Sequence, residues 1–285
     1  MLGNSSSSIS TEKIISIPKI SIIMGYYNRK EQTLFTFDTI NKSKIANLIE
    51  VIIADDGSNA DHDLSILLNN GKYKFTIKLY KLQEEKNWSN PVIAYNLAIS
   101  KIHTSSEWII IQNPEVCHIR DIPSYIISNG NPEYYYAFNV FACESETVNQ
   151  TLRSLDYDNI SVNKLRGEWY CHEIYRPRAY HFCTAIHRSK LEKIGGFNPN
   201  MKDGINYDDD EMLTRIERVC KIKYINEPYA IHQWHPHYFY AYPDLDLRSN
   251  KNAILYHRVK DNNSIINVNI SDFLPKTQEF IYNPQ

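Results

Sequence analysis

KISIIM (19–24), running on into GYYNRKEQ, and EVIIA (50–54), running on into Asp55-Asp56-Gly57-Ser58, are the two stretches that decide the fold. Each is a short apolar run without polar alternation, as a strand buried on both faces requires. Between them Leu34, Phe37 and Ile40 fall on one side of a helical segment. A strand near 76–82, a helix near 91–101 and the apolar run WIIIQ (108–112) continue the alternation. Repetition of this kind predicts an α/β chain with a Rossmann-like, mostly parallel central sheet flanked by helices. Ligands of such sheets bind beyond the carboxyl ends of the strands, where loops and helix N-termini converge. GYYN, DDGS and QNPE (112–115) all fall at those ends.

Beyond residue 119 the pattern is less regular. YYYAFNVF (134–141) reads as a tyrosine-rich strand, followed by a polar stretch over 144–166. HFCTAIHR then reads as a strand and SKLEKI as a helix stopped at Gly195-Gly196. The acidic run Asp208-Asp209-Asp210-Glu211 opens a further helix, and 229–233 reads as a late strand leading into HQWHPHYFYAYP. The last forty residues carry few strong signals.

Composition removes several function classes. With 31 Lys+Arg against 33 Asp+Glu, nothing global argues for a nucleic-acid partner. The five cysteines are scattered without a CxxC pair, which argues against a disulfide framework and a cysteine zinc site. No stretch approaches the roughly 20 apolar residues of a bilayer span, and MLGNSSSSISTEK lacks a signal-peptide pattern. A soluble, cytoplasmic chain without a transmembrane segment is the expectation.

SIIMGYYNR followed about thirty residues later by VIIADDGS resembles the opening of family 2 glycosyltransferases, which have the GT-A fold. The resemblance implies a nucleotide-sugar site. Tyr27 would stack on the base and Asp56 would accept its imide N–H, with Asp55 supporting the loop or the ribose. Asn28, Arg29, Asn90, Gln112 and Asn113 would lie around the donor. Read without the resemblance, DDGS is also an ordinary turn sequence. The family's metal-binding Asp-x-Asp is replaced here by QNPE, with Gln112 and Pro114 at the two Asp positions. Glu115, just beyond, is where many members carry a third acid, and it would hold Mn²⁺ or Mg²⁺; a solvated loop glutamate is the alternative.

AIHRSKLEKIGGF followed by YDDDEMLTRI resembles the family's acceptor-side strand, helix, GGF turn and ED-x-D-L-x-x-R. Asp208 takes the place of the Glu, Asp209 of the catalytic Asp, Glu211 of the second acid and Arg215 of the Arg. Asp209 would then be the general base, since an inverting transfer needs a carboxylate that removes the acceptor hydroxyl's proton. Asp208-x-x-Glu211 is equally a capping-box pattern. Asp210, Glu211, Trp169 and His235 are assigned to the acceptor or the sugar, with His172, Arg176 and Arg178 as weaker candidates. By the same resemblance His232 would join the metal, while strand alternation would turn His235 to the opposite face. His232, His235 and His237 also suggest a zinc hydrolase, although Pro236 disfavours the continuous helix of an HExxH site.

These readings divide the chain into a disordered leader (1–17), a nucleotide-sugar-binding half (18–118), an acceptor-binding and catalytic half (119–243) and a C-terminal extension (244–285). The function expected is inverting, metal-assisted transfer of a sugar from a UDP-sugar to a glycan or other hydroxyl-bearing acceptor. A catalytically inactive nucleotide-sugar or glycan-binding module on the same fold is the alternative, motivated by the missing Asp-x-Asp.

Overall fold

The computed structural model describes residues 17–66, 72–157, 160–236 and 242–284. The leader expected over 1–17 lies, except for Ile17, outside them. In chain order the elements are β1 (Ile20–Tyr26), α1 (Lys30–Ile40), β2 (Ile49–Asp55), β3 (Thr76–Leu82), α2 (Val92–Ser100), β4 (Trp108–Gln112), β5 (Val116–Ile119), α3 (Ile122–Asn129) and β6 (Tyr134–Cys143). They continue with α4 (Glu146–Ser154), β7 (Gly167–Cys171), β8 (Cys183–His187), α5 (Arg188–Ile194), α6 (Asp208–Glu217), β9 (Lys221–His232), α7 (Leu245–Asp261) and β10 (Thr277–Tyr282).

All ten strands form one sheet in the order β10-β3-β2-β1-β4-β8-β6-β9-β5, with β7 paired to β6. β3, β2, β1 and β4 run parallel, with Ile20 beside both Ile49 and Trp108. The apolar runs of β1, β2 and β4 reflect this position, and every residue of β2 and β4 is buried, while β3, nearer the edge, carries Lys78 and Lys81. Antiparallel pairing enters with β8 on β4, and with β10 on the outer edge of β3.

α2 is buried from Val92 through Ala98 and therefore shows no polar face. Its Asn96 donates to the carbonyl of Phe197 and accepts from the N–H of the same residue, both at 2.9 Å. That paired bond fastens the turn after α5 to the sheet's helical cover. A Cβ on Gly196, at φ +111°, would come within 2.8 Å of Asn96 Oδ1, so this turn accepts only glycine there.

The polar stretch 144–166 contains α4, whose Ser145 caps the N-terminus by accepting from the Val148 N–H. Its inward stripe is short, Val148 and Leu152 with Asn149, so the periodicity is faint. The C-terminal region carries α7 and β10, neither of which the sequence indicates. α7 buries only Asn252 and Val259, and β10 buries only Tyr282. α7 packs on α6, stacking Tyr256 on Tyr207 at 5.6 Å and donating from Asn252 to the carbonyl of Asn206 at 2.9 Å.

The capping box expected at Asp208 does not form. Asp208 is the first residue of α6, Tyr207 occupies the cap position, and no side chain caps the helix. Asn206 and Tyr207 both have positive φ (62° and 61°), an uncommon pair for residues with side chains. α7 holds this turn from outside, and the turn aims the start of α6 at the sheet's carboxyl end.

Candidate active site

A cleft of about 970 Å³ opens over the carboxyl ends of the parallel strands. Its first corner is built by the loops after β1 and β2. Asn28, at φ 51°, donates its N–H to Ser58 Oγ at 3.0 Å and accepts the Asn59 N–H at 2.9 Å. Asp55 accepts the Ser58 N–H at 2.8 Å. Asn28 and Asp55 are thus buried clasps that hold GYYN against DDGS, and neither lines the cleft.

Tyr27 and Asp56 do line it. Tyr27 is 39% exposed, at the cleft surface. Asp56 accepts from Trp88 Nε1 at 2.7 Å and from the Lys86 ammonium, which also sits 5.3 Å over the Tyr27 ring. Burial raises the Asp56 carboxyl above the ordinary carboxylate value even against the pull of Lys86. The sequence gives no hint of Lys86 and Trp88, because the loop after β3 has neither period nor motif. Only the fold brings it back across thirty residues.

At the centre, Glu115 Oε1 lies 3.2 Å from His232 Nε2 and 3.0 Å from His235 Nε2. All three residues are buried, and their candidate ligand atoms lie within 4.8 Å of one another. Burial alone would raise the Glu115 carboxyl; the charge of His235 and hydrogen bonds from both imidazoles hold it well below the usual range. The expectation that His235 faces away from His232 is corrected here. β9 ends at His232, so alternation ends with it, and Gln233 pins the following turn by donating from its N–H (3.1 Å) and Nε2 (3.0 Å) to the Glu115 carbonyl. Arg29 Nη2 lies 2.8 Å from His235 Nδ1.

Gln112 also departs from its expected place beside the donor. It is fully buried, donates to the Val116 carbonyl at 2.9 Å and pairs with His118 Nε2 at 2.7 Å, because its side chain turns under the strand end. Asn113 lines the cleft and accepts from the Tyr95 hydroxyl at 2.9 Å. One carboxylate with two imidazoles suits a first-row divalent ion better than Mg²⁺, which favours all-oxygen shells. His237 lies outside the described residues.

The far end of the cleft belongs to α6. Asp208 and Asp209 line it; Asp210 and Glu211 do not. Asp208 accepts from Asn90 Nδ2 at 2.9 Å, and Asn90 itself is buried beside the cleft and does not line it. Burial, then the neighbouring Asp209 charge, push the Asp208 carboxyl up to about 6. Asp209 Oδ1 accepts from His181 Nδ1 and, at 3.3 Å, from the His181 backbone N–H. Burial alone would lower the His181 imidazole, but the Asp209 carboxylate raises it. Asp210 is turned aside by the Tyr180 hydroxyl at 2.5 Å.

Glu211 is not available to an acceptor. It is fully buried and ion-paired with Arg215, Nη2 to Oε2 at 2.8 Å, and it accepts from Asn198 at 3.1 Å. Arg215 in turn donates to the carbonyls of Ile194 and Gly196, each at 2.8 Å. The pair clamps the glycine turn to α6. Trp169 packs edge-on against Phe141 at 5.4 Å, and strand alternation puts Tyr170 on the cleft in its place. His172 tilts against Trp169, away from the lining. His181 is a cleft residue that the sequence reading lacks. Only its position, just before β8 and so at a strand mouth, marks it.

Among the described residues no helix is long and apolar enough to cross a membrane. A family model, glycosyl transferase family 2, matches residues 21–195. No curated protein matches the chain by sequence. Among solved structures, the chain is similar to TarS of S. aureus (residues 1–349, in complex with UDP) at 16% identity and a TM-score of 0.54, covering 78% of this chain and 62% of that one. It is also similar to GalNAc-T7 with UDP, GalNAc and Mn²⁺, at 13% identity and a TM-score of 0.55, covering 86% of this chain and 48% of that one. The chain thus spans less than two thirds of either structure, and likeness at these identities establishes the GT-A fold. With the family model covering more than half its length, over the strands and loops that build the donor corner, this chain belongs to glycosyl transferase family 2.

Proposed function

We propose that the chain transfers a sugar from a UDP-sugar to an acceptor hydroxyl with inversion, assisted by a divalent metal. The observation that carries this reading is the convergence, in one cleft, of the Tyr27–Asp56 corner, the Glu115–His232–His235 trio and the Asp208–Asp209 pair. Tyr27 stacks on the base and Asp56 accepts a hydrogen bond from its imide N–H, while Lys86 donates to a ring carbonyl beside it. Glu115, His232 and His235 hold Mn²⁺, which when bound neutralises charge on the leaving diphosphate. Arg29 lines the cleft beside this trio and adds positive charge there. At the far end Asp209 supplies the basicity that removes the acceptor proton, so attack opposite the leaving group gives a β product from an α-linked donor.

In this reading residues 18–118 serve as the donor half, 119–243 as the acceptor and catalytic half, and 244–285 as an extension whose α7 braces α6 and whose β10 edges the sheet at β3. TarS in complex with UDP and GalNAc-T7 with UDP and Mn²⁺ have the same fold and support the choice of nucleotide and metal. Calorimetric titration of UDP, alone, with Mn²⁺ and with EDTA, tests the proposal. Binding that needs Mn²⁺ is expected; no UDP binding under any condition would overturn it. Binding without release of UDP from any UDP-sugar would favour the inactive binding module.

A further inference from the structure

We propose that His181 is the group that takes the acceptor proton, with Asp209 holding it in the required tautomer. The inference deepens the transferase reading above and rests on it.

Three observations converge on this residue. First, His181 grips Asp209 Oδ1 twice, through Nδ1 and through its backbone N–H at 3.3 Å. Because Asp209 accepts at Nδ1, the neutral ring carries its proton there and leaves a lone pair on Nε2. Second, Nε2 makes no hydrogen bond among the described residues, although the ring lines the cleft. Third, the ring is fixed by packing. It packs edge-on against the stacked pair of Tyr95 and Phe197, with each centroid 4.8 Å away and the two rings 5.0 Å from each other. The residue sits beside the end of β4, where the Asn113 N–H donates to the Phe182 carbonyl at 3.3 Å. A base in the turn that enters β8, packed against a stacked aromatic pair and oriented by a carboxylate, meets the requirements of a preorganised proton acceptor.

The electrostatics favour the same step. Asp208 and Asp209 face the ring from α6, Tyr95 faces it from α2, and Phe197 is apolar. No lysine or arginine among the described residues pairs with His181. Both carboxylates therefore stabilise the imidazolium that forms. In the step, the acceptor O–H proton passes to Nε2 and the oxygen's electron pair forms the bond to the anomeric carbon. The bond from that carbon to the diphosphate breaks, and its pair leaves with the nucleoside diphosphate. The imidazolium afterwards returns its proton to water in the cleft.

Two measurements on the full chain test the proposal. Nitrogen-15 NMR of the imidazoles is expected to show His181 as the Nδ1–H tautomer, and D209N is expected to erase that preference. A His181 found as the Nε2–H tautomer would overturn the assignment. In Mn²⁺, UDP release from UDP-N-acetylglucosamine and UDP-glucose, with water as acceptor, is expected to fall at least about 100-fold in H181Q at unchanged UDP affinity. Added imidazole is expected to restore part of the turnover of H181A, a response that a packing defect would not give. The rising limb of the wild-type pH profile is expected to follow the His181 titration and to move to lower pH in D209N. H181Q turning over within about five-fold of wild type, where D209N is inactive, would leave Asp209 as the base and sink this proposal alone. Wild-type protein that binds no UDP would sink the transferase reading, and this proposal with it.

Discussion

Two buried glutamates show how differently the same fold uses a carboxylate. Glu211 is paired with Arg215, four residues along one helix, and every strong donor around it is permanent. Arg215 completes its own bonding on the backbone carbonyls of the glycine turn. Glu115 is equally buried, but its side-chain partners are two imidazoles from more than a hundred residues away. A guanidinium cannot be exchanged for a metal; an imidazole can become a ligand beside the carboxylate. The first cluster is closed and holds the chain together. The second is a set of groups whose bonds can be redistributed, and it opens on the cleft.

The sharpest way to break this comparison is to cut each cluster. Replacing Glu211 by Ala leaves Arg215 buried without its counter-charge, and a loss of about 3–5 kcal/mol in folding stability is expected. Urea unfolding measures it, while UDP affinity per folded molecule should hold. If E211A instead kept its stability and lost turnover, Glu211 would belong to the site after all.

Glu115→Gln should reverse the pattern. Mn²⁺ affinity is expected to fall by at least about 100-fold, beyond the loss typical of an outer-sphere partner, with the thermal midpoint little changed. His235→Ala should show the same signature in weaker form. An unchanged Mn²⁺ affinity in H235A would return His235 to the acceptor side. Smaller again is the donor corner. Lys86→Ala should weaken UDP binding by roughly ten-fold, the loss of one charge-assisted hydrogen bond. Calorimetry that found it neutral would show that Lys86 only neutralises Asp56.

The two clusters were also unequally legible in the sequence. Apolar runs with no alternation predict the parallel strands, because burial on both faces leaves few polar positions, and β1, β2 and β4 match that reading closely, while β3 with Lys78 and Lys81 is only partly buried. DDGS marks a sheet end because it needs a tight turn there, with Gly57 at φ +86°. The acidic run 208–211, by contrast, looks uniform. Only the helix geometry separates Asp208 and Asp209, at the cleft, from Glu211, one turn on and facing the core. Asp208 and Glu211, three residues apart, share a helix face, so the period does not separate them; depth along α6 does, and an acid with an arginine four residues on reads equally as a surface pair. Lys86, Trp88 and His181 were not legible because nothing local selects them. Each acquires its role from a partner that the sheet supplies.

The last test asks whether Asp208 resembles the closed cluster or the open one. Its carboxyl is raised from 3.8 to about 6 by burial and by Asp209, and Asn90 Nδ2 is its one side-chain donor among the described residues. Below about pH 4 the folded and unfolded chains both carry the proton, so Asp208 adds no pH-dependent cost. Between there and about pH 6 the unfolded chain releases the proton while the folded chain retains it, and the fold is progressively destabilised. Above that window the cost is complete. Asp208→Asn keeps the oxygen that accepts from Asn90 and removes the charge. The variant is therefore expected to exceed wild type in stability near pH 7 by on the order of 1 kcal/mol or more, with the difference vanishing near pH 4. Urea unfolding at the two pH values measures it. A gain confined to neutral pH would mark Asp208 as an acid kept at a cost in stability, as functional sites often are. Equal stability at both would place it with Glu211, satisfied and structural.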